Sequence, residues 1–316
     1  MPRPPISDGL ASPADTRRFG EYRITRRPDD PRPLYRFADR IVEDGAAGDL
    51  TARAGRYHLY AGRFCPWSQR LEITRALANL TEVVTLSYVD NERDGRGWAF
   101  RERFGPDPVN GFSLLRQAYE ATEEGFDGHV SVPTLWDRAS ARVASNDFKT
   151  IGIDLATRFR RVAEPVTDTY PEAHRAEIEE LDAWLGPVVN HGVGVAARPG
   201  PEGVKARAAL LDAFAALDSR LATRRYLVGP TVTEADIRLW VTLVRFDVGP
   251  NARRSINSGL HVYPHLWAYA RDLYTLPAFR DSTDFDSFAA PGAELPDWHE
   301  PAHRPTGPIT GHTVSH

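Results

Sequence analysis

Residues 56–70 read Arg56-Tyr57-His58-Leu59-Tyr60-Ala61-Gly62-Arg63-Phe64-Cys65-Pro66-Trp67-Ser68-Gln69-Arg70. The first six alternate as a strand does. Beyond Pro66 the apolar positions fall at Leu71, Ile73, Ala76, Leu77 and Leu80, the three-to-four-residue spacing of an amphipathic helix. Proline suits the first helical turn, where its missing N–H would have had no partner. Cys65, the only cysteine, is therefore expected at a strand-to-helix junction. Backbone N–H groups and the helix dipole favour an anion there, and such a position lowers a thiol pKa from about 8.5 toward about 3.5–7.5. With no second cysteine, a disulfide formed at Cys65 must be resolved by an external thiol. The other reading of a lone cysteine is an inert buried residue; the Cys-Pro-Trp setting favours the reactive one.

Outward from this block, Val83–Asp90 is expected as a second strand, parallel to the first across a right-handed βαβ crossover. Residues 91–128 are rich in Gly and charge and are expected to be an insertion with a short helix near Leu114–Glu123. Ser131–Asp137 and Val143–Ser145 read as two further strands, followed by a helix from Asn146 to Phe159. After Pro165 only helical spacing remains, over Ala173–Leu185, Lys205–Leu221, Glu234–Phe246 and Pro264–Tyr274. Thr233 and Asp236 form a variant capping box at the start of the third of these. The expected organisation is an extended arm (1–50), a mixed α/β domain (51–160), an all-helical domain (165–285) and an irregular tail (286–316).

These blocks resemble the glutathione transferase superfamily and, within it, the xi class of glutathionyl-hydroquinone reductases, which typically read Cys-Pro-Trp-Ala-His-Arg where this chain has Cys65–Arg70. Gly97-Trp98-Ala99-Phe100, Val132-Pro133-Thr134-Leu135-Trp136-Asp137 and Thr233–Leu239 running into Arg245-Phe246-Asp247 follow in the family's order, as does Tyr263-Pro264-His265-Leu266. The resemblance implies a thioredoxin-like N-terminal domain and a helical C-terminal domain, with Cys65 as nucleophile. It also implies that Trp98 and the backbone of Val132 hold the thiol, and that Pro133 is cis. Ser145 falls where a Glu-Ser pair grips the γ-glutamyl group, with Asn146 and Asp147 following and Trp67 and Arg70 in support. Trp98 as a packing aromatic and Pro133 as an edge-strand proline are the plainer alternatives. The chain departs from the family at Ala144, read as replacing the acidic member of the pair, and at Gly194 and Gly249, which stand where tyrosines are expected to contact a quinol.

At 41% hydrophobic and 26% charged, the composition is that of a globular protein. The net charge of −4 provides no basic footprint for nucleic acid. No apolar run is long enough to span a membrane, and no secretory leader is visible, so a cytoplasmic location is expected. One cysteine excludes a zinc-ribbon site. His299-Glu300-Pro301-Ala302-His303 has a zinc-peptidase spacing, but Pro301 prevents the helix that would align both histidines; no metal is expected. Lys149 and Lys205 are the only lysines. That arginine bias fits a GC-rich genome such as an actinobacterial one, where mycothiol would replace glutathione and dispense with an acidic residue at position 144. The expected function is removal of glutathione or mycothiol from a small electrophile through a mixed disulfide on Cys65, by a homodimer. The competing reading is a non-catalytic binding or scaffold protein on the same fold.

Overall fold

The computed structural model describes residues 9–24, 30–33, 35–43 and 50–299. They fall into two compact units, one of residues up to 168 together with 282–287, the other of 169–281 and the residues from 288 onward.

The first unit opens with a single helical turn, α1 (Thr16–Phe19), capped by the Asp15 carboxylate. The strands are β1 (Tyr57–Ala61), β2 (Thr85–Tyr88), β3 (Thr134–Asp137) and β4 (Arg142–Ser145). They lie in the order β2-β1-β3-β4, with β1 parallel to β2 and antiparallel to β3. Three helices accompany them, α2 (Pro66–Leu77), α3 (Arg116–Thr122) and α4 (Phe148–Thr157). Because strand side chains alternate between faces, Leu59, Leu135 and Ala144 join the apolar cluster that holds Leu71 of α2 and Ile151 and Leu155 of α4. Tyr60, Trp136 and Val143 enter the opposite cluster, with Tyr119 of α3, Phe100, Val132 and Cys65. The β1-α2-β2 and β3-β4-α4 order is the thioredoxin-like arrangement implied by the resemblance.

The second unit is helical, with α5 (Arg175–Leu185), α6 (Gly192–Ala196), α7 (Pro201–Leu221), α8 (Glu234–Phe246), α9 (Pro264–Tyr274) and α10 (Pro277–Arg280). The α8 start rests on Asp236, whose buried carboxylate accepts from Thr233 N (2.8 Å), Thr233 Oγ1 (2.9 Å), Leu227 N (2.8 Å) and Tyr269 Oη (2.8 Å). Two helical features depart from the sequence expectation. Between α5 and α6 the chain continues through a π-helical stretch, Gly186–His191; Pro187 has no N–H to give the preceding turn, and the helix widens there. Helix α7 starts at Pro201 rather than Lys205, with Pro in its first turn and Gly200 before it at φ +95°. A last short helix, α11 (Phe285–Phe288), precedes a tail without helix or strand up to residue 299. Trp298 in that tail is buried against Trp240, Trp267 and Tyr274. No helix among the described residues is long and apolar enough to cross a membrane.

Candidate active site

Cys65 is the N-cap of α2, in extended conformation (φ −88°, ψ 119°), with Pro66 in the first turn. Its N–H is spent on Gly62 O (2.9 Å), and its carbonyl accepts from Gln69 N (3.1 Å). The Ser68 hydroxyl accepts from Gly62 N (3.1 Å), fixing the loop that delivers the cysteine. Cys65 is 7% exposed and outside any disulfide. Its sulfur lies 3.5 Å from the carbonyl oxygen of Val132, and the Val132–Pro133 peptide bond is cis.

The Ser131–Thr134 turn is held from below by α3. The Tyr119 hydroxyl is paired with Thr134 Oγ1 (2.7 Å), donates toward Ser131 O (3.1 Å) and accepts from Ser131 N (3.3 Å). Burial raises the Tyr119 pKa, so it stays a neutral phenol. From the other side, Asn146 Nδ2 reaches Ser131 Oγ (3.4 Å) and Asn146 N donates to Phe37 O (2.8 Å). Asn146 Oδ1 is buried and has no hydrogen-bond partner among the described residues. Ser145 is fully buried, its hydroxyl accepting from Asp147 N (3.1 Å). Asp147 caps α4 through Lys149 N (3.1 Å) and is half-buried.

Trp67 stacks on Phe148 (centroids 4.7 Å apart, 16° between planes), and the Arg70 guanidinium covers both rings, 5.7 Å from Trp67 and 5.1 Å from Phe148. Trp98 stacks on Phe64, the residue before the cysteine (4.4 Å, 29°). All nine residues singled out from the sequence thus lie in the first unit: Cys65 meets Val132-Pro133, Asn146 meets Ser131, Trp67 and Arg70 meet the start of α4, and Trp98 reaches the cysteine through Phe64.

Ala144 does not take the place assigned to it. It is fully buried in the cluster with Leu59, Leu135 and Ile151, and a longer acidic side chain there would point into hydrocarbon. The only carboxylate of the 144–147 segment is that of Asp147, at the helix start, where negative charge is favoured.

Several residues at the site were not singled out. Tyr22 and Phe37 come from the Pro-rich N-terminal segment, where isolated aromatics were the one visible signal. The Phe37 ring packs between Tyr119 (5.7 Å) and Phe126 (5.4 Å). The Tyr22 hydroxyl accepts from Val130 N (3.1 Å), two residues before Val132, and lies 3.3 Å from His129 Nδ1. Among the described residues no group of three or more His, Cys, Asp or Glu side chains is arranged to hold a metal. His299 packs against Tyr274 at 5.5 Å, while Glu300–His303 lie outside the described residues.

Comparison with known proteins agrees with this geometry. The glutathione S-transferase C-terminal domain family matches residues 156–272. Glutathionyl-hydroquinone reductase YqjG of Escherichia coli is 33% identical over 266 residues, 81% of either chain. The chain belongs to the glutathione transferases of the xi class. The glutathione-bound structure of YqjG matches this xi-class fold at TM-score 0.79 and 30% identity, over 85% of this chain and 96% of that one. A xi-class transferase from Natrialba magadii matches at TM-score 0.78 and 30% identity, over 85% and 88%.

Proposed function

We propose that this xi-class enzyme is a cysteine-dependent reductase that strips glutathione from aromatic conjugates. The observation that carries the reading is the Cys65 sulfur, placed at the N-terminus of a twelve-residue helix and 3.5 Å from the Val132 carbonyl. The thiolate attacks the sulfur of the conjugate; the carbon–sulfur bond breaks, a Cys65–glutathione disulfide forms and the ring carbon takes up a proton. A second glutathione thiolate then attacks the glutathione sulfur of that disulfide, releasing oxidised glutathione and regenerating the Cys65 thiolate. The conjugate is reduced by two electrons and two glutathione sulfurs are oxidised.

Glutathione fits the residues present. The Val132 backbone suits an extended peptide, Asn146 Oδ1 is a buried acceptor with no partner of its own, and the Asp147 carboxylate suits an ammonium. With Ala144 in the core, the case for mycothiol rests on composition alone. The homodimer and the cytoplasmic location are carried by the family resemblance.

The test is mass spectrometry of wild type and Cys65→Ser after incubation with a glutathionyl-hydroquinone, alongside turnover. A glutathione adduct on wild type and less than a few per cent of its activity in the serine variant are expected, because a hydroxyl is no nucleophilic anion at neutral pH. A Cys65 pKa near 8.5 without an adduct would favour the non-catalytic binding protein.

A further inference from the structure

Helix α3 belongs to the Gly-rich insertion at 91–128, and it is tied to each stretch of chain that frames the thiol. At its start, Leu115 N donates to Trp98 O (2.9 Å), beside a bond from Phe100 N to Ser113 O (2.9 Å). At its end, Thr122 Oγ1 accepts from Val143 N of β4 (2.8 Å). In its middle, Tyr119 is fully buried, its ring packed against Phe37 (5.7 Å) and Phe126 (4.9 Å). A helix of seven residues thereby links Trp98, the Ser131–Thr134 turn and β4.

The Tyr119 hydroxyl completes a ring of three bonds with that turn. Ser131 N donates to the phenol oxygen (3.3 Å), the phenol pairs with Thr134 Oγ1 (2.7 Å), and Thr134 Oγ1 donates to Ser131 O (2.6 Å). Ser131 and Thr134 flank Val132 and Pro133, so both ends of the turn are fastened through one phenol oxygen. Tyr119, Ser131 and Thr134 are all buried, and a buried N–H deprived of its acceptor is costly. Between the two fastened ends lies the Val132 carbonyl, 3.5 Å from the Cys65 sulfur. Hydrogen bonds weaken steeply with misalignment, so an extended peptide laid along Val132 depends on where the ring of bonds holds that backbone.

We propose that Tyr119 is a positioning residue for glutathione, setting the Val132 backbone through Ser131 and Thr134 and making the insertion part of the thiol site. This rests on the reading above, in which glutathione lies along Val132, and adds to it the residue that fixes the fit.

The experiment measures the affinity of S-methylglutathione by calorimetry in wild type, Tyr119→Phe, Thr134→Val and Thr134→Ser. In the same proteins, attack of Cys65 on bis(2-hydroxyethyl) disulfide is followed by the release of 2-mercaptoethanol, since this probe brings no peptide. Tyr119→Phe and Thr134→Val keep the packed shape and break the ring of bonds. Each is expected to weaken S-methylglutathione binding about tenfold, the worth of one hydrogen bond. The double variant is expected to lose little more than either single one, because one missing hydroxyl already opens the ring. Thr134→Ser keeps its hydroxyl and is expected to bind as wild type does, and the rate with the small disulfide is expected to hold throughout. If Tyr119→Phe fails to fold, the contrast between Thr134→Val and Thr134→Ser decides. Unchanged affinity in the ring-breaking variants, or equal losses on the peptide ligand and the small disulfide, overturns the proposal. If wild type itself does not bind S-methylglutathione, the glutathione reading fails; if wild type and variants bind alike, only the role of Tyr119 does.

Discussion

A carboxylate at residue 144 would have no water to reach. Ala144 is fully buried among Leu59, Leu135 and Ile151, so Ala144→Glu is expected to destabilise the fold by about 3–5 kcal/mol and to leave glutathione affinity no better. Denaturant melts and a glutathione titration of the folded fraction check this; tighter binding in a stable variant would return the acidic role to position 144. Asp147 is where charge can matter. Asparagine caps a helix about as well as aspartate, so Asp147→Asn is expected to preserve α4 and the melting temperature. If the carboxylate partners the γ-glutamyl ammonium, the lost charge-assisted bond is worth roughly 1.5–3 kcal/mol. Glutathione binding would then weaken about ten- to a hundredfold, measured by calorimetry. Sequence alone misplaced this residue because position 144 was read from its neighbour Ser145, whereas its place in β4 sets it among Leu59, Leu135 and Ile151. Ala144 and Ser145 are the last residues of β4, whereas Asp147 lies past its end.

At the scale of elements, β1 carries a titratable pin. His58 is fully buried, its Nδ1 2.7 Å from Thr85 Oγ1 and its Nε2 2.8 Å from Ser87 Oγ on the parallel neighbour β2. Burial, aided by Arg138 and Arg75, lowers its pKa to about 3. The unfolded chain binds a proton at His58 below about pH 6.5 and the native chain does not until about pH 3. This contribution to stability is present in full above pH 6.5 and is lost, at about 1.4 kcal/mol per pH unit, as the pH falls between those values. In His58→Asn the loss of stability between pH 7 and pH 5 should shrink by about 2 kcal/mol; equal slopes for variant and wild type would show that other groups set the acid limit. Helices α8 and α9 and the β1-α2 junction were legible because each combines a clear period with a start signal, the capping box or a first-turn proline. The π-helical stretch before α6 carried no such signal, since Gly and Pro there read equally well as a turn.

Across the whole molecule, the N-terminal segment is the part least legible from composition, yet it is fastened at both ends of its described length. Near its start, Ala11 N donates to Phe100 O (2.8 Å) and Asp15 N to the buried Asp94 (3.1 Å). Near its end, Asp154 of α4, itself buried, takes Arg40 through Nε and a terminal nitrogen (2.6 Å) and accepts from the Ile41 backbone (2.8 Å). Between Asp154 and Cys65 no direct bond is needed: Arg40 and Ile41 fix the strand of chain that carries Tyr35 and Phe37, and Phe37 O receives Asn146 N. Pro and Arg content marks such a segment as extended but cannot show what it ties to, because its partners lie about a hundred residues away. Asp154→Ala removes the anchor and leaves the Ile41 N–H without its acceptor, a cost of about 2–3 kcal/mol. The expected result is faster hydrogen exchange over residues 35–43 together with a lower kcat/KM for glutathionyl-hydroquinones, although Asp154 touches neither the thiol nor the rings around it. Asp154→Asn retains one acceptor for Ile41 and should recover part of both. If Asp154→Ala loosens the segment while turnover is unaffected, the N-terminal residues are packing for the sheet and no part of the site.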